Sequence, residues 1–413
     1  MESNERLKDI LMLSPVVPSL NGKGVQKRAA AHLLALARGA RVHLLVITSI
    51  DENAGGLEHE LTEVCREFHV ISYCEEPRKS FFKIPPFTLL AEILEPTNKR
   101  VLPSIDILLE LEKKLLVKKF DVAFCFRIRA ANVFQQLLEL KLISARKKFV
   151  DFDDIESIAD QRSLAIEAGN IGREQYCIEK LKNYRLKKIE LYYLKKYDGV
   201  VVCSNIDKNK LIALVSSAQV YVVPNSVIIS DLSIRERKSH QEISILFVGT
   251  LSYYPNTDGV LWFVENIWPK LMEMFSGNLN LNIVGFDPPK NIVSLANGNI
   301  KVVGGVDSLA PYYETCDFVI APIRCGGGTR IKILEAMCYQ RAVVSTTLGA
   351  EGIDVLDREN ILIGDGVNEF VECCFSLMIN EEMRGNLALQ GRKFVSAYYS
   401  FDEVAKKLLK VVV

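Results

Sequence analysis

The stretch Pro322 to Met337, PIRCGGGTRIKILEAM, sets three glycines and a threonine ahead of two cations and a lone glutamate in an otherwise apolar run. Asp317 to Pro322 reads as a buried strand, Cys325 to Gly328 as a tight loop, and Thr329 to Tyr339 as a helix. Ile331, Leu334 and Cys338 share one face of that helix, and Ile333 and Met337 broaden it. A glycine loop opening a helix gathers unpaired backbone N–H groups and the positive end of the helix dipole. It also lets a phosphate approach with no Cβ in the way. Arg330 and Lys332 add charge at the same place, so an anion is the expected occupant of Gly326, Gly327, Gly328 and Thr329. Glu335, a carboxylate among apolar neighbours, needs hydrogen-bond donors, and a ribose diol supplies two. Diphosphate at the helix start and ribose further along describe a nucleoside diphosphate. The plainer alternative makes the glycines a turn and pairs Glu335 with Lys332 or a distant cation.

Other groups could carry chemistry too. In VDFDDIES, Asp151, Asp153 and Asp154 place three carboxylates in four residues, enough to hold a divalent cation. They could instead face a ligand from a strand end, with Asp154 orienting or deprotonating its hydroxyl, or Asp153 or Asp154 could cap the next helix. Arg127 and Arg129, just past the strand DVAFCF, could hold an anionic ligand or be solvated. Gly22, Lys23 and Gly24 follow the strand DILMLSP and precede a helix, so they form either a phosphate-facing loop or a simple turn. Lys27 stands where a G-x-G-x-x-G fingerprint needs glycine, which disfavours a nicotinamide site. His32 reads as structural, and the spacing of His59, Cys65 and His69 fits no common zinc pattern, so no metal is expected.

The elements that position these residues are short β-branched runs between helical patterns: DILMLSP, VHLLVIT, DVAFCF, KFVDF, GVVVCS and VYVVP, then ILFVGT, LNLNIVG, IKVVG, DFVIAP, AVVST and ILIG. Continuous apolar strands alternating with helices predict parallel sheets covered on both faces, hence an α/β protein. The expected organisation is a first domain over 1–228, a polar linker over 229–242 and a second domain over 243–397. The last helix, within 398–413, packs back on the first domain. The two Rossmann-like domains face each other across a cleft at the carboxyl ends of their strands. A helix over Gly259 to Met274 is expected to break at Pro269.

A chain of 413 residues with 49% hydrophobic and 25% charged composition is too long for one core and too apolar for disorder. With 51 basic and 51 acidic residues, its net charge of zero does not suggest a protein that coats nucleic acid or an anionic membrane, so any charged partner must be recognised locally. The ten cysteines include no C-x-x-C pair, as in a reducing compartment. No apolar run reaches the roughly eighteen residues of a spanning helix, and no secretory signal is recognisable, so a cytoplasmic protein is expected. Peripheral contact with the inner face of a membrane stays open on two segments. Phe81 to Pro96 combines prolines with large apolar residues, and KLKNYRLKKIELYYLKK (Lys180 to Lys196) is basic and aromatic; each could also be ordinary packing.

Strand, glycine loop, helix with LEAM and then AVVSTTLGAEGI together resemble the donor-binding segment of the retaining GT-B glycosyltransferases, the "glycosyl transferases group 1" family. PSLNGKG, VVCSNIDKNKL, VVPNSV and FVGTLSYYPNTDGVLWF extend the resemblance over most of the chain. It implies transfer of a sugar from a nucleotide-diphosphate sugar to a hydroxyl of a saccharide or lipid-linked acceptor, in polysaccharide or glycoconjugate synthesis. Anomeric configuration is retained, without an essential metal or further cofactor. The implied donor-binding residues include Gly249 and Thr250 beside the Gly326–Glu335 set. Two departures stand out. Gly327 occupies the position where many relatives carry a first glutamate ahead of the one matching Glu335. Ser252 to Asn256 replace the arginine and lysine that often hold the diphosphate. The D-x-D motif belongs to the other large glycosyltransferase fold, a single domain at odds with the two series of strands. A sugar-nucleotide epimerase, or a non-catalytic nucleotide-sugar-binding partner subunit, are the alternatives on this fold.

Overall fold

The computed structural model describes residues 7–49, 57–73, 103–169, 171–229 and 242–413. The Phe81–Pro96 segment and all but the ends of the expected linker lie outside them. The chain divides into two compact units, residues 1–224 with 405–413, and residues 225–404.

In the first unit, β1 (Lys8–Ser14), β2 (Ala40–Ser49), β3 (Cys65–Tyr73), β4 (Lys119–Phe126), β5 (Ser144–Asp151), β6 (Gly199–Val202) and β7 (Val220–Val222) form a parallel sheet. Its order is β3-β2-β1-β4-β5-β6-β7. Ile10 to Leu13 of β1 are fully buried, as a strand with helices on both faces requires. The strand β3 was not expected from the sequence. As an edge strand it carries Arg66, Glu67 and His69 between apolar residues, which hides the pattern. Glu67 instead joins a polar network with His43 and with His69 (3.2 Å), while His43 also meets Asp9 (3.1 Å). His59 is exposed beside Glu63, and the Cys65 thiol donates to the Leu61 carbonyl, so His59, Cys65 and His69 each have separate partners. The final helix, Phe401–Val412, buries Leu408, and its Leu409 lies against Gly39. Among the described residues no helix is long and apolar enough to cross a membrane.

In the second unit, β8 (Glu242–Val248), β9 (Asn278–Val284), β10 (Ile300–Val303), β11 (Phe318–Ala321), β12 (Ala342–Ser345) and β13 (Leu362–Ile363) form a parallel sheet. Its order is β10-β9-β8-β11-β12-β13. The helix expected to break at Pro269 does not. It runs Tyr254–Trp262, passes through a π-helical turn at Phe263–Ile267, and continues as Trp268–Met274. Pro269 sits in the first turn of that last piece, where a missing N–H costs little.

Both sheets reverse their strand order once, between β1 and β4 and between β8 and β11. Loops leaving neighbouring strands at such a point part to opposite faces and open a crevice at the carboxyl edge. The ends of β8 and β9 meet closely: Gly249 donates to the Val284 carbonyl at 3.0 Å, and a Cβ at Gly285 would lie 1.7 Å from the Gly249 oxygen. Backbone cannot yield as a flexible side chain does. Gly285→Ala should therefore destabilise by about 1–3 kcal/mol or more, read as a lowered urea midpoint at unchanged slope.

Candidate functional site

The loop after β11 and the turn after β8 build one site in the second unit. Gly326 (φ 89°) and Gly328 (φ 65°) occupy the left-handed region that favours glycine. A Cβ on Gly326 would also come within 3.0 Å of Pro255 and 3.2 Å of the half-exposed Tyr253 hydroxyl. Gly327, between them, has no such φ. The helix begins at Ile331 and ends at Cys338, shorter than the expected Thr329–Tyr339, because Arg330 is its extended cap residue. The Arg330 guanidinium folds back to donate to the carbonyls of Gly327, Gly328 and, at 3.3 Å, Cys325. It thus braces the loop it was expected to lend charge to. The Thr329 hydroxyl accepts from Asn225 Nδ2 at 2.7 Å, and both residues are buried.

Lys332 lies beyond the loop, in the first turn of the helix. Its ammonium donates to Asn256 Oδ1 at 2.6 Å and lies 4.3 Å from the centre of the Phe247 ring. A Cβ at Gly249 would be 2.7 Å from Lys332 Nζ. Asn256 in turn donates to the Thr250 carbonyl at 2.8 Å. Burial, reinforced by the Arg330 charge and opposed by Glu335, brings the Lys332 pKa down to about 7. Glu335, one turn on, is half-buried and accepts from the buried Tyr313 hydroxyl at 3.3 Å; Tyr313 stacks on Tyr339 at 4.7 Å. Gly249, Thr250, Gly326, Gly327, Gly328, Thr329, Arg330, Lys332 and Glu335 therefore belong to one neighbourhood.

The remaining expected residues lie at the carboxyl edge of the first unit's sheet. Asp151 ends β5 fully buried. Arg28 donates to its carboxylate at 2.9 and 3.1 Å and to the Val223 carbonyl at 3.0 Å, and His32 and the Asp153 N–H complete the shell. Burial works to raise the Asp151 pKa, but Arg28 and His32 outweigh it and hold the carboxyl well below its usual range. Burial, reinforced by Arg28, lowers the pKa of His32, a buried residue spent on Asp151. With both Asp151 oxygens taken, the D-x-D reading as a cation site loses its first ligand. The N-cap residue of the helix Glu156–Glu167 is Ile155, one position beyond Asp154.

Arg127 (φ 66°) and Asp153 (φ 58°) are non-glycine residues in the left-handed region, strained positions of the kind found at functional edges. They follow neighbouring strands, and Arg127 pairs with Glu156 at 3.2 Å and approaches Asp153 at 3.8 Å. Arg127 opens the helix Arg127–Glu139, and Arg129, two residues on, is half-buried. Gly22 and Lys23 lie in the loop after β1, held by Gln26 through the Lys23 N–H (3.0 Å) and the Val17 carbonyl (3.1 Å); Gly24 opens the following helix.

Three residues with evident roles here were not anticipated. Asn225 and Asn256 act through single long-range hydrogen bonds, to which the VVPNSV and YYPN motifs were the available pointers. Glu190, in the helix Arg173–Lys196, accepts from the Ser157 N–H at 2.9 Å and from its hydroxyl. Burial raises the Glu190 pKa to about 7 against those hydrogen bonds, aided by Glu156 and Asp154. A glutamate amid the apolar residues of KIELYYL was its sequence signal.

Two parallel, doubly wound sheets of this kind define the GT-B fold. Sucrose-phosphate synthase from Thermosynechococcus elongatus is 16% identical with a TM-score of 0.66, over 98% of each chain. HepE from Anabaena, in complex with UDP and glucose, is 13% identical with a TM-score of 0.64, over 98% of this chain and 99% of that one. A glycosyltransferase from Rickettsia africae is 15% identical with a TM-score of 0.62, over 98% of each. Residues 242–380 match the family "Glycosyl transferases group 1". An uncharacterized 44.6 kDa protein in the cps region of Klebsiella pneumoniae is 25% identical over 177 residues, 40% of this chain and 45% of that protein.

Removing the charge from a buried, fully bonded partner strands the other ion. Asp151→Asn should cost about 3–5 kcal/mol, with Arg28 left uncompensated. A depressed carboxyl stabilises at pH values above its unfolded value and loses that contribution as pH falls below roughly 4, so the gap from wild type in a denaturant titration should narrow in acid. Glu190 has the opposite sign: its raised pKa makes stability fall as pH rises through about 7. Glu190→Gln should therefore raise the melting temperature relative to wild type more at alkaline than at mildly acidic pH.

Proposed function

We propose that this chain is a glycosyltransferase of the group 1 type, which holds a nucleotide-diphosphate sugar on its second unit and passes the sugar to an acceptor hydroxyl with retention of configuration. One observation carries the reading. At the switch point of the second sheet, a glycine loop with two left-handed residues, a half-buried lysine and a half-buried glutamate lie along one helix start. The amides of Gly326 to Thr329 and the Lys332 ammonium would meet the diphosphate, and Glu335 would accept from the ribose hydroxyls. As the bond to the sugar breaks, the charge growing on the leaving diphosphate falls on donors already oriented toward it. Arg330 is a positioning residue that keeps the loop in shape.

On the first unit, Arg127 and Arg129 would hold an anionic acceptor, and Asp154 would take its hydroxyl proton. The cationic and amide donors at Lys332 and the loop supply the diphosphate's counter-charge, so chelation of divalent cations should leave transfer unchanged. HepE with UDP and glucose makes UDP the first nucleotide to try, and the cps-region relative supports a place in polysaccharide synthesis.

A second reading rests on Gly327. Its φ lies outside the left-handed region, so the backbone does not demand glycine there, and the missing carboxylate is a chemical difference. A nucleotide-sugar-binding subunit without turnover would bind UDP and UDP-sugars yet release no UDP in the presence of acceptors.

Calorimetry with UDP, GDP and ADP separates these outcomes. One diphosphate should bind, and Glu335→Ala should weaken it roughly 10- to 100-fold, the worth of hydrogen bonds to a charged group. Binding by none of the three would overturn the proposal. Lys332, near half-protonated at neutral pH, should gain charge beside the diphosphate. UDP binding at pH 8 should therefore take up protons, seen as a heat that varies with buffer ionisation enthalpy, and Lys332→Ala should abolish that uptake.

A further inference from the structure

The geometry points to a membrane-docking surface on the helix Arg173–Lys196, one that recognises the anionic headgroups of a bilayer. The helix is held from one side. Ile189, Tyr193 and Leu194 enter the first unit's core, Glu190 is bonded to Ser157, and Asn183 donates to the Ser157 carbonyl at 2.6 Å. On the opposite side Arg173, Lys180, Leu181, Tyr184, Lys187 and Lys188 recur at helical spacing and are all exposed. They form a stripe roughly 22 Å long at 1.5 Å per residue.

The distribution of acids makes this more than a solvated face. Of the helix's three glutamates, Glu190 is buried and Glu179 is turned away, bonded to Gln175 and Lys182 at 2.6 Å each; Glu174 lies at the edge of the stripe. From Lys180 to Lys188 the stripe carries three cations and no acid, while at its N-terminal end the exposed Glu174 stands beside Arg173. In its middle Leu181 and Tyr184 are 37% and 50% exposed, and Lys188 caps the Tyr184 ring at 5.3 Å, as Lys180 caps Tyr176 at 4.6 Å. Apolar and phenolic side chains flanked by lysines match the headgroup layer, where the stems and rings enter and the ammonium groups stay with the phosphates. The formal net charge of zero argues against a polyanion wrapped around the whole protein, and a single cationic stripe suits a flat anionic surface. The helix is already folded and packed, so docking carries no backbone ordering cost.

The test is co-sedimentation of the full chain with phosphatidylcholine vesicles with and without phosphatidylglycerol, at low and high salt. Wild type should sediment only with the anionic vesicles, and less at high salt. Replacing Lys180, Lys187 and Lys188 together by alanine should lower the partition coefficient about a hundredfold, at about fivefold per cation. The same variant should keep its circular dichroism and melting temperature. Leu181→Ala should weaken binding without changing the charge of the stripe. Wild type left in the supernatant at low salt would overturn the inference, as would a triple variant that sediments like wild type. Capture by RNA or by an acidic protein without vesicle binding would overturn it equally.

Discussion

Lys332 sets the terms for the second unit. An ammonium lying 4.3 Å from the Phe247 ring and bonded to a single side-chain oxygen, Asn256 Oδ1, is short of the solvation it would have in water. Three features of the chain exist around it. Gly249 has no Cβ, which would stand 2.7 Å from the ammonium; Asn256 is fixed by its own bond to Thr250; and the loop from Cys325 to Thr329 is braced by Arg330. Under the proposed function, an anion at that loop would supply what burial removed, and the cost of burying the ammonium would become selectivity for negative charge. Gly326 and Gly328 take up the left-handed backbone of that loop, which runs on to Arg330 before the helix begins.

The first unit solves a different problem. Asp151 at the end of β5 is fully buried, and Arg28 and His32 from the helix after β1 converge on it. That network ties β1's helix to β5 and, through the Val223 carbonyl, to the chain beyond β7. It leaves Asp153, Asp154, Arg127 and Glu156 at the edge, with two of the four in strained backbone. A rigid buried ion pair beneath a strained, charged rim is an arrangement that positions side chains for a ligand.

Much of this was legible in the sequence because strands buried on both faces are continuous apolar runs, and twelve of them announced two parallel sheets. Only β3 escaped, since an edge strand is free to carry charge. The glycine loop was legible as a turn ahead of a helix, and Glu335 as a polar residue on that helix. Less legible was what each cation does. Arg330 and Lys332 look equivalent in a string, yet one is spent on loop carbonyls and the other is held over Phe247, a difference set by residues some eighty positions away in the case of Asn256 and Phe247. The roles of Asn225 and Glu190 were hidden for the same reason: hydrogen bonds to one residue across a long sequence separation leave no periodicity to read.

The claim that the diphosphate rests on the backbone amides of the glycine loop is tested most directly by amide hydrogen exchange with and without saturating UDP. The account predicts slowed exchange concentrated in the peptides covering Gly326 to Lys332 and the Gly249 to Asn256 turn. Unchanged exchange there, with protection appearing elsewhere in the chain, would contradict it.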